Sequence, residues 1–287
     1  MRCSVASAAG FQGFIYNLLE KLGQKTSGVI TEVGGVLLFL GQTLRSCVTP
    51  PFYAKNVLKQ MEEIGFNSVP VVLTTAVSTG MVLALQSYTG FKRFGAETLI
   101  GTVVSLSMTR ELGPVLTGLM VAGRAGASMA AELGTMRVTE QIDALTTLAT
   151  NPMKYLVVPR FIASTVMMFF LSALGSMIGI VGGYFVGVKV LHTNPVTYIT
   201  NSENFTEVTD IWYGLIKALV FGAVVGLIGC YKGFHTEGGA EGVGKATTGA
   251  VVISCMLILI LDYFLSALLW CGGEFRSQKP GFRSREG

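Results

Sequence analysis

Five stretches of the chain run for about twenty residues or more with almost no charge, the length a helix needs to cross a bilayer. Val69–Phe91 holds no charged residue, and residues 98–123 are apolar apart from the adjacent pair Arg110 and Glu111. Phe161–Val188 is 28 residues long without a charge, about 42 Å of helix at 1.5 Å per residue. It therefore exceeds the roughly 30 Å hydrocarbon core and should tilt or project beyond it. Ile211–Tyr231 contains only Lys217, and Gly249–Cys271 only Asp262.

The first 68 residues follow a different pattern. Val29–Leu44 is apolar but interrupted by Glu32, and Pro50–Pro51 breaks any helix that reaches it. In Tyr53–Ile64, Val57, Leu58, Met61 and Ile64 recur at helical spacing among Lys55, Lys59, Glu62 and Glu63. This predicts an amphipathic helix lying in the interface, with Val29–Leu44 as a second candidate. The expected architecture is an all-α membrane protein: an N-terminal extension over residues 1–28, interfacial or elbow helices over 29–68, and a basic tail over 272–287. Between them lie about five transmembrane helices, near 69–91, 98–123, 157–190, 211–231 and 249–271. Residues 1–28 lack the sustained apolar run of a cleavable signal peptide.

Short-loop charge predicts the orientation. The connection Arg124–Arg160 carries Arg124, Arg137, Lys154 and Arg160, so it is expected in the cytoplasm. The connection Leu191–Asp210 has no Lys or Arg and three acids, Glu203, Glu207 and Asp210, so it is expected outside. Lys92, Arg93 and the bases of the tail pull the other way.

Composition supports the membrane reading. Of 287 residues 51% are hydrophobic and only 13% charged, against about 25% charged in a soluble domain. The 36 glycines fit as well, since glycine is more frequent in membrane helices. Gly175, Gly179, Gly183 and Gly187 form a stripe at four-residue spacing, and Gly222 and Gly226 a second; such stripes let helix backbones approach closely. A net charge of +4 without basic runs leaves no footprint for nucleic acid. The five cysteines are scattered without a CxxC pair, which argues against a disulfide framework or a zinc site.

Candidate chemistry is sparse, and no catalytic or metal-binding set stands out. Gly239–Ala246 nearly matches a phosphate-binding loop, but Ala246 stands where the Ser or Thr that holds Mg²⁺ is needed. The strand-to-helix context is also missing, so the segment reads as a flexible glycine-rich loop. The charges inside the spans are the anomaly, because each costs at least about 2.5–3.5 kcal/mol at mid-membrane. Arg110 and Glu111 are neighbours and point about 100° apart on a helix, so at least one needs another partner or a wet cavity. Lys217 and Asp262 lie at similar depth on their spans, which allows an ion pair. A second anomaly is the polar stretch after Gly123. Within it Glu140–Leu145 suits a short helix with Ile142 and Leu145 on one face, a form fit for docking a soluble partner.

Taken together, the runs TRELGPV (Thr109–Val115), AGRAGAS (Ala122–Ser128), AELGTMR (Ala131–Arg137) and EQIDAL (Glu140–Leu145) closely resemble the MlaE/YrbE permease family. So do Asn151–Pro152, Pro159–Arg160, KATT (Lys245–Thr248) and LDYF (Leu261–Phe264). The resemblance covers roughly residues 30–271. It implies an ABC transporter permease acting as a homodimer in the inner membrane of a Gram-negative bacterium. Implied partners are cytoplasmic ATPase subunits that bind the ATP and Mg²⁺, a periplasmic MCE-domain carrier and, in some systems, a STAS-domain regulator; the implied substrate is phospholipid. It implies a substrate cavity with Leu85, Tyr88, Arg110, Glu111, Lys217 and Asp262, and a coupling helix with Glu140, Gln141, Ile142, Asp143 and Leu145. Under this reading Ile142 and Leu145 pack against the ATPase while Glu140 and Asp143 make polar contacts. The chain itself has no cofactor and no enzymatic site. The rival readings are an ion- or proton-coupled carrier using the intramembrane charges as a relay, and a scaffold that anchors an MCE protein.

Overall fold

The computed structural model describes residues 27–28, 30–50 and 53–277, with side chains through Leu269. The expectations for most of the N-terminal extension and for the tail beyond residue 277 lie outside the described residues. The chain divides into two compact units, Met1–Thr49 and Pro50–Gly287. In the first, residues 30–48 form one helix, α1, in place of the shorter 29–44 segment expected from the apolar run.

Among its described residues the second unit contains helices and turns only. α2 spans Ala54–Ile64, and a 3₁₀ turn, Phe66–Ser68, leads into α3, Val69–Phe91. A nearly continuous rod follows over residues 100–138: α4 (Ile100–Ser107), a π turn (Met108–Leu112), α5 (Gly113–Val121), a second π turn (Ala122–Gly126) and α6 (Ala127–Val138). α7, Gln141–Thr147, is short, and Glu140 before it has φ 59°. α8 covers Val158–Phe185 between π turns at Met153–Val157 and Val186–Val190. α9 (Pro195–Phe205), α10 (Val208–Phe234) and α11 (Gly239–Ser277) complete the order.

Among the described residues, four helical stretches are long and apolar enough to cross a membrane: Ala54–Phe94, Met153–Val190, Val208–Phe234 and Gly239–Leu269. The fifth expected span, 98–123, is helical over nearly its whole length. Arg110, Glu111 and its many Ser, Thr and Gly residues dilute its hydrophobicity, so length and composition alone single out four.

α8 lies at the centre, packed against α3, α5 and α10, and α10 packs on against α6 and α11. The glycine stripes explain how. A Cβ on Gly80 of α3 would sit 1.9 Å from the carbonyl oxygen of Gly179 on α8, and one on Gly182 2.8 Å from the Val77 carbonyl. On the other side of α8, a Cβ on Gly222 or Gly226 of α10 would fall within 2.7 Å of the Ser164 carbonyl or 2.1 Å of its hydroxyl. Lipid offers no hydrophobic drive for helices to associate, so close backbone contact supplies it through dispersion.

α9 was read from sequence only as part of an outer connection. Asn194 caps it by accepting from the Val196 N–H at 3.0 Å, and Pro195 stands at its first position, where a missing N–H costs nothing. Tyr198 of α9 is buried with Ala84, Ile100, Val104, Met108 and Val186.

Gly80→Val should lower the melting temperature and monodisperse yield of the purified chain, with a cost of about 1–3 kcal/mol from overpacking. Gly90→Val, where a side chain meets open space, should leave both near wild type in a detergent thermal-shift assay.

Candidate functional site: a buried lysine and its carboxylates

Pro114 organises the turn that holds the first two intramembrane charges. It has no N–H to offer the carbonyl four residues back, which belongs to Arg110, and its ring crowds that position. The helix widens into the Met108–Leu112 π turn, where the Gly113 N–H reaches the Met108 carbonyl. Such turns recur at functional sites. The Arg110 carbonyl accepts instead from Lys217 Nζ on α10 at 3.2 Å. The Met108 carbonyl also accepts from the Ser176 hydroxyl of α8 at 3.2 Å. α10 comes this close because its residue beside the turn is Gly214, where a Cβ would lie 2.1 Å from the Thr109 carbonyl oxygen.

Lys217 is 2% exposed, an ammonium in an apolar bundle. It reaches Glu111 Oε2 at 2.5 Å, Asp262 Oδ1 at 3.1 Å and Ser266 Oγ at 2.7 Å. With the Arg110 carbonyl that makes four acceptors for three N–H donors. The Ser266 hydroxyl in turn donates to the Asp262 carbonyl at 2.7 Å. A charge this deeply buried is tolerable only when paired and fully hydrogen-bonded. Arg110 turns the other way: its Nη2 meets Asp210 Oδ1 at 2.5 Å, and Asp210 is 2% exposed. The Arg110 and Glu111 side chains remain 38% and 45% exposed, so the group opens on one side through these two.

The structure thus joins Arg110, Glu111, Lys217 and Asp262 and adds two residues that sequence reasoning left out. Asp210 looked like one acid among three in a polar connection. Ser266 follows Asp262 by one helical turn, and that spacing was its only signal. Leu85 and Tyr88 are placed apart. Leu85 is 42% exposed on α3, while Tyr88 packs on the Ala84–Tyr198 cluster with Lys92 Nζ 5.3 Å from its ring centre. Among the described residues no hydrogen bond or ion pair joins either to the charged group.

A second polar group lies where the other π turn meets α2. Arg124 donates to the Ser68 hydroxyl at 2.8 Å and the Glu63 carbonyl at 3.3 Å. Arg160, 5% exposed, pairs with Glu132 at 2.8 Å. Gln60, Glu63, Asn67, Arg124, Ser128 and Glu132 help line a cavity of about 200 Å³ there. Burial pushes the Glu132 carboxyl up, but the hydrogen bond and charge of Arg160 outweigh it and hold Glu132 below the usual range. The clasp is therefore intact at neutral pH and is lost on acidification through that lowered value. These arginines stood in the sequence motifs, but Glu63, Ser68 and Glu132 lie 28 or more residues from the arginine each one meets.

On α7, Glu140 stands at the N-cap position without a side-chain capping bond, Gln141 is exposed, and Asp143 is held by Arg137 at 2.8 Å. Ile142 is 2% exposed, buried within this chain, and Leu145 is half-buried. The strongly exposed apolar residue is Leu148, at 73%. The glycine-rich stretch after Gly239 is also not the loop expected: it is the first turns of α11, with Lys245 paired to Glu241 at 2.7 Å. Its backbone N–H groups beyond the first turn are committed to the helix, so they cannot cradle a phosphate as a loop would.

Comparison with known proteins follows the same outline. The family model described as Permease MlaE matches residues 57–268. A probable ABC transporter permease protein of Rickettsia felis is 51% identical over 256 residues, 89% of this chain and 99% of its own length. One from Synechocystis is 47% identical over 218 residues, 76% of this chain and 83% of its own. The intermembrane phospholipid transport system permease protein MlaE of Haemophilus influenzae is 36% identical over 265 residues, 90% of this chain and all of its own.

Lys217→Met should strand Glu111 and Asp262 without their cation and destabilise the bundle by about 3–5 kcal/mol, the cost of breaking a buried pair from one side. Adding Glu111→Gln and Asp262→Asn to Lys217→Met should recover part of that loss. Thermal unfolding of the purified variants measures both, and equal melting points for wild type and Lys217→Met would show the charge to be incidental.

Proposed function

The chain belongs to the MlaE permease family, and from that premise we propose that it carries phospholipid through the membrane as the permease of an ATP-driven transporter. It is a multi-pass membrane permease of ABC type. The observation that carries the lipid reading is the charged group itself. Apolar helices hold ion pairs that open on one side through Arg110 and Glu111, which suits a molecule with a charged head and apolar tails.

Energy enters at α7 in this proposal. A cytoplasmic ATPase meets the exposed face, Glu140, Gln141 and Leu148, rather than Ile142. Ile142 anchors α7 to the body of the permease, and Arg137–Asp143 ties it to α6. α6 runs back through the Ala122–Gly126 turn and α5 to the Met108–Leu112 turn. A push on α7 thus moves the one rod that bears Arg110 and Glu111, and π turns are where such a rod yields. The working unit in this reading is a homodimer in a bacterial inner membrane. Two ATPase subunits drive it, an MCE-domain carrier exchanges lipid with it on the far side, and a STAS-domain protein regulates it.

Leu148→Asp should reduce co-purification of the ATPase and ATP-driven lipid transfer in proteoliposomes while leaving the melting point of the chain unchanged. Ile142→Asp should lower the melting point. Transfer by the chain alone under an ion gradient, without ATPase, would replace this proposal with a secondary carrier.

A further inference from the structure

We propose that Asp210 is a positioning residue for Arg110: it holds the guanidinium in place and competes for it with the phosphate of a passing lipid, so that an anionic headgroup is bound briefly and released. The inference rests on reading the charged group as part of the lipid path.

Both carboxylate oxygens of Asp210 are committed. As the third residue of α10 it closes a capping box, with Oδ2 accepting from the Glu207 N–H at 3.1 Å. Oδ1 takes Arg110 Nη2 at 2.5 Å. At 2% exposure the carboxylate has no room to swing away.

The contact is also the last rung of a polar seam. Asn201 Nδ2 donates to the Thr98 carbonyl at 2.8 Å, the Thr102 hydroxyl donates to the Asn201 carbonyl at 3.4 Å, and the Ser105 and Thr206 hydroxyls meet at 2.5 Å. Thr98 precedes the rod, and Thr102, Ser105 and Arg110 follow along it, so α9 and the start of α10 are fastened from residue 98 as far as the charged turn.

Arg110 is left partly neutralised and partly free. Its side chain is 38% exposed, and its Nε is buried with no partner among the described residues. An unpaired guanidinium in a low-dielectric site would grip a phosphate through two parallel hydrogen bonds. Tight binding of that kind, equal along the path, slows turnover. A fixed carboxylate on the same guanidinium weakens the grip.

Asp210→Asn separates this role from helix capping, because its amide oxygen still accepts from the Glu207 N–H. The full chain, assembled with its ATPase in proteoliposomes, is assayed with phosphatidylglycerol and with phosphatidylethanolamine. For phosphatidylglycerol, KM and kcat of Asp210→Asn should both fall, kcat by about tenfold, the low end of what one hydrogen bond to a charged group is worth. Phosphatidylethanolamine transfer should change less, because its ammonium group offsets the phosphate, and Asp210→Glu should recover most of the turnover. Mass spectrometry of the purified chain should find more phosphatidylglycerol retained by Asp210→Asn than by wild type. Wild-type KM, kcat and lipid content in Asp210→Asn, with transfer impaired in Arg110→Ala, would overturn the proposal. So would a loss of kcat and yield with KM unchanged, the mark of a helix cap alone. If the wild-type assembly moves no lipid, the permease reading fails, and lipid retention by the two chains still decides the role of Asp210.

Discussion

The structure turns on the need to pair one ammonium. Lys217 sits at 2% exposure among apolar helices, where an isolated charge would cost several kcal/mol or more. Its partners come from two distant places in the chain: the turn around Arg110 and Glu111, and Asp262 with Ser266 of α11. Each must be brought within about 3 Å, so this one side chain constrains the register of α10 against both the rod and α11. Helices sliding past one another in lipid have few other polar constraints, which makes a buried ion cluster an effective determinant of register.

Glycine makes that register reachable. Gly214 lets α10 touch the widened turn, Gly222 and Gly226 let it touch α8, and Gly80 with Gly179 draws α3 against α8. Proline supplies the complementary defect. Pro114 removes a backbone donor, the helix opens by one residue per turn, and a carbonyl faces Lys217. Packing and charge are therefore one arrangement: small residues give the approach, and the irregular turn presents the acceptor.

The same rod links the two ends of the proposed mechanism. It carries Arg110 and Glu111 near one end and leads into α7 at the other. The Arg124 and Arg160 contacts fasten its second π turn and α6 to the end of α2, to the turn that follows it and to α8. Motion at α7 is thus constrained to pass along the rod or through the clasp. The buried placement of Ile142 fits this division, since a lever needs a rigid attachment to its own body and an exposed surface for its driver.

Much of this was legible in the residues. Apolar runs of sufficient length determine helices in a membrane, because backbone groups in lipid must pair within the segment. The four intramembrane charges were conspicuous because each is expensive there, and the depth of Lys217 and Asp262 already allowed their pairing. A short helix was visible at Glu140–Leu145 in its spacing and its flanking Asn151–Pro152, and it runs over Gln141–Thr147. The tertiary structure alone decided the rest. Asp210 and Ser266 became partners only when α10 and α11 met the rod, and Arg160 found Glu132 only across α8 and α6. Ile142 turned inward although periodicity placed it with Leu145 on a docking face, and the glycine-rich segment before α11's apolar run became helix. Local pattern specifies which residues share a face and what a charge requires; which face is covered, and by which distant side chain, depends on how close two backbones come, and that distance is set by all the packed helices together.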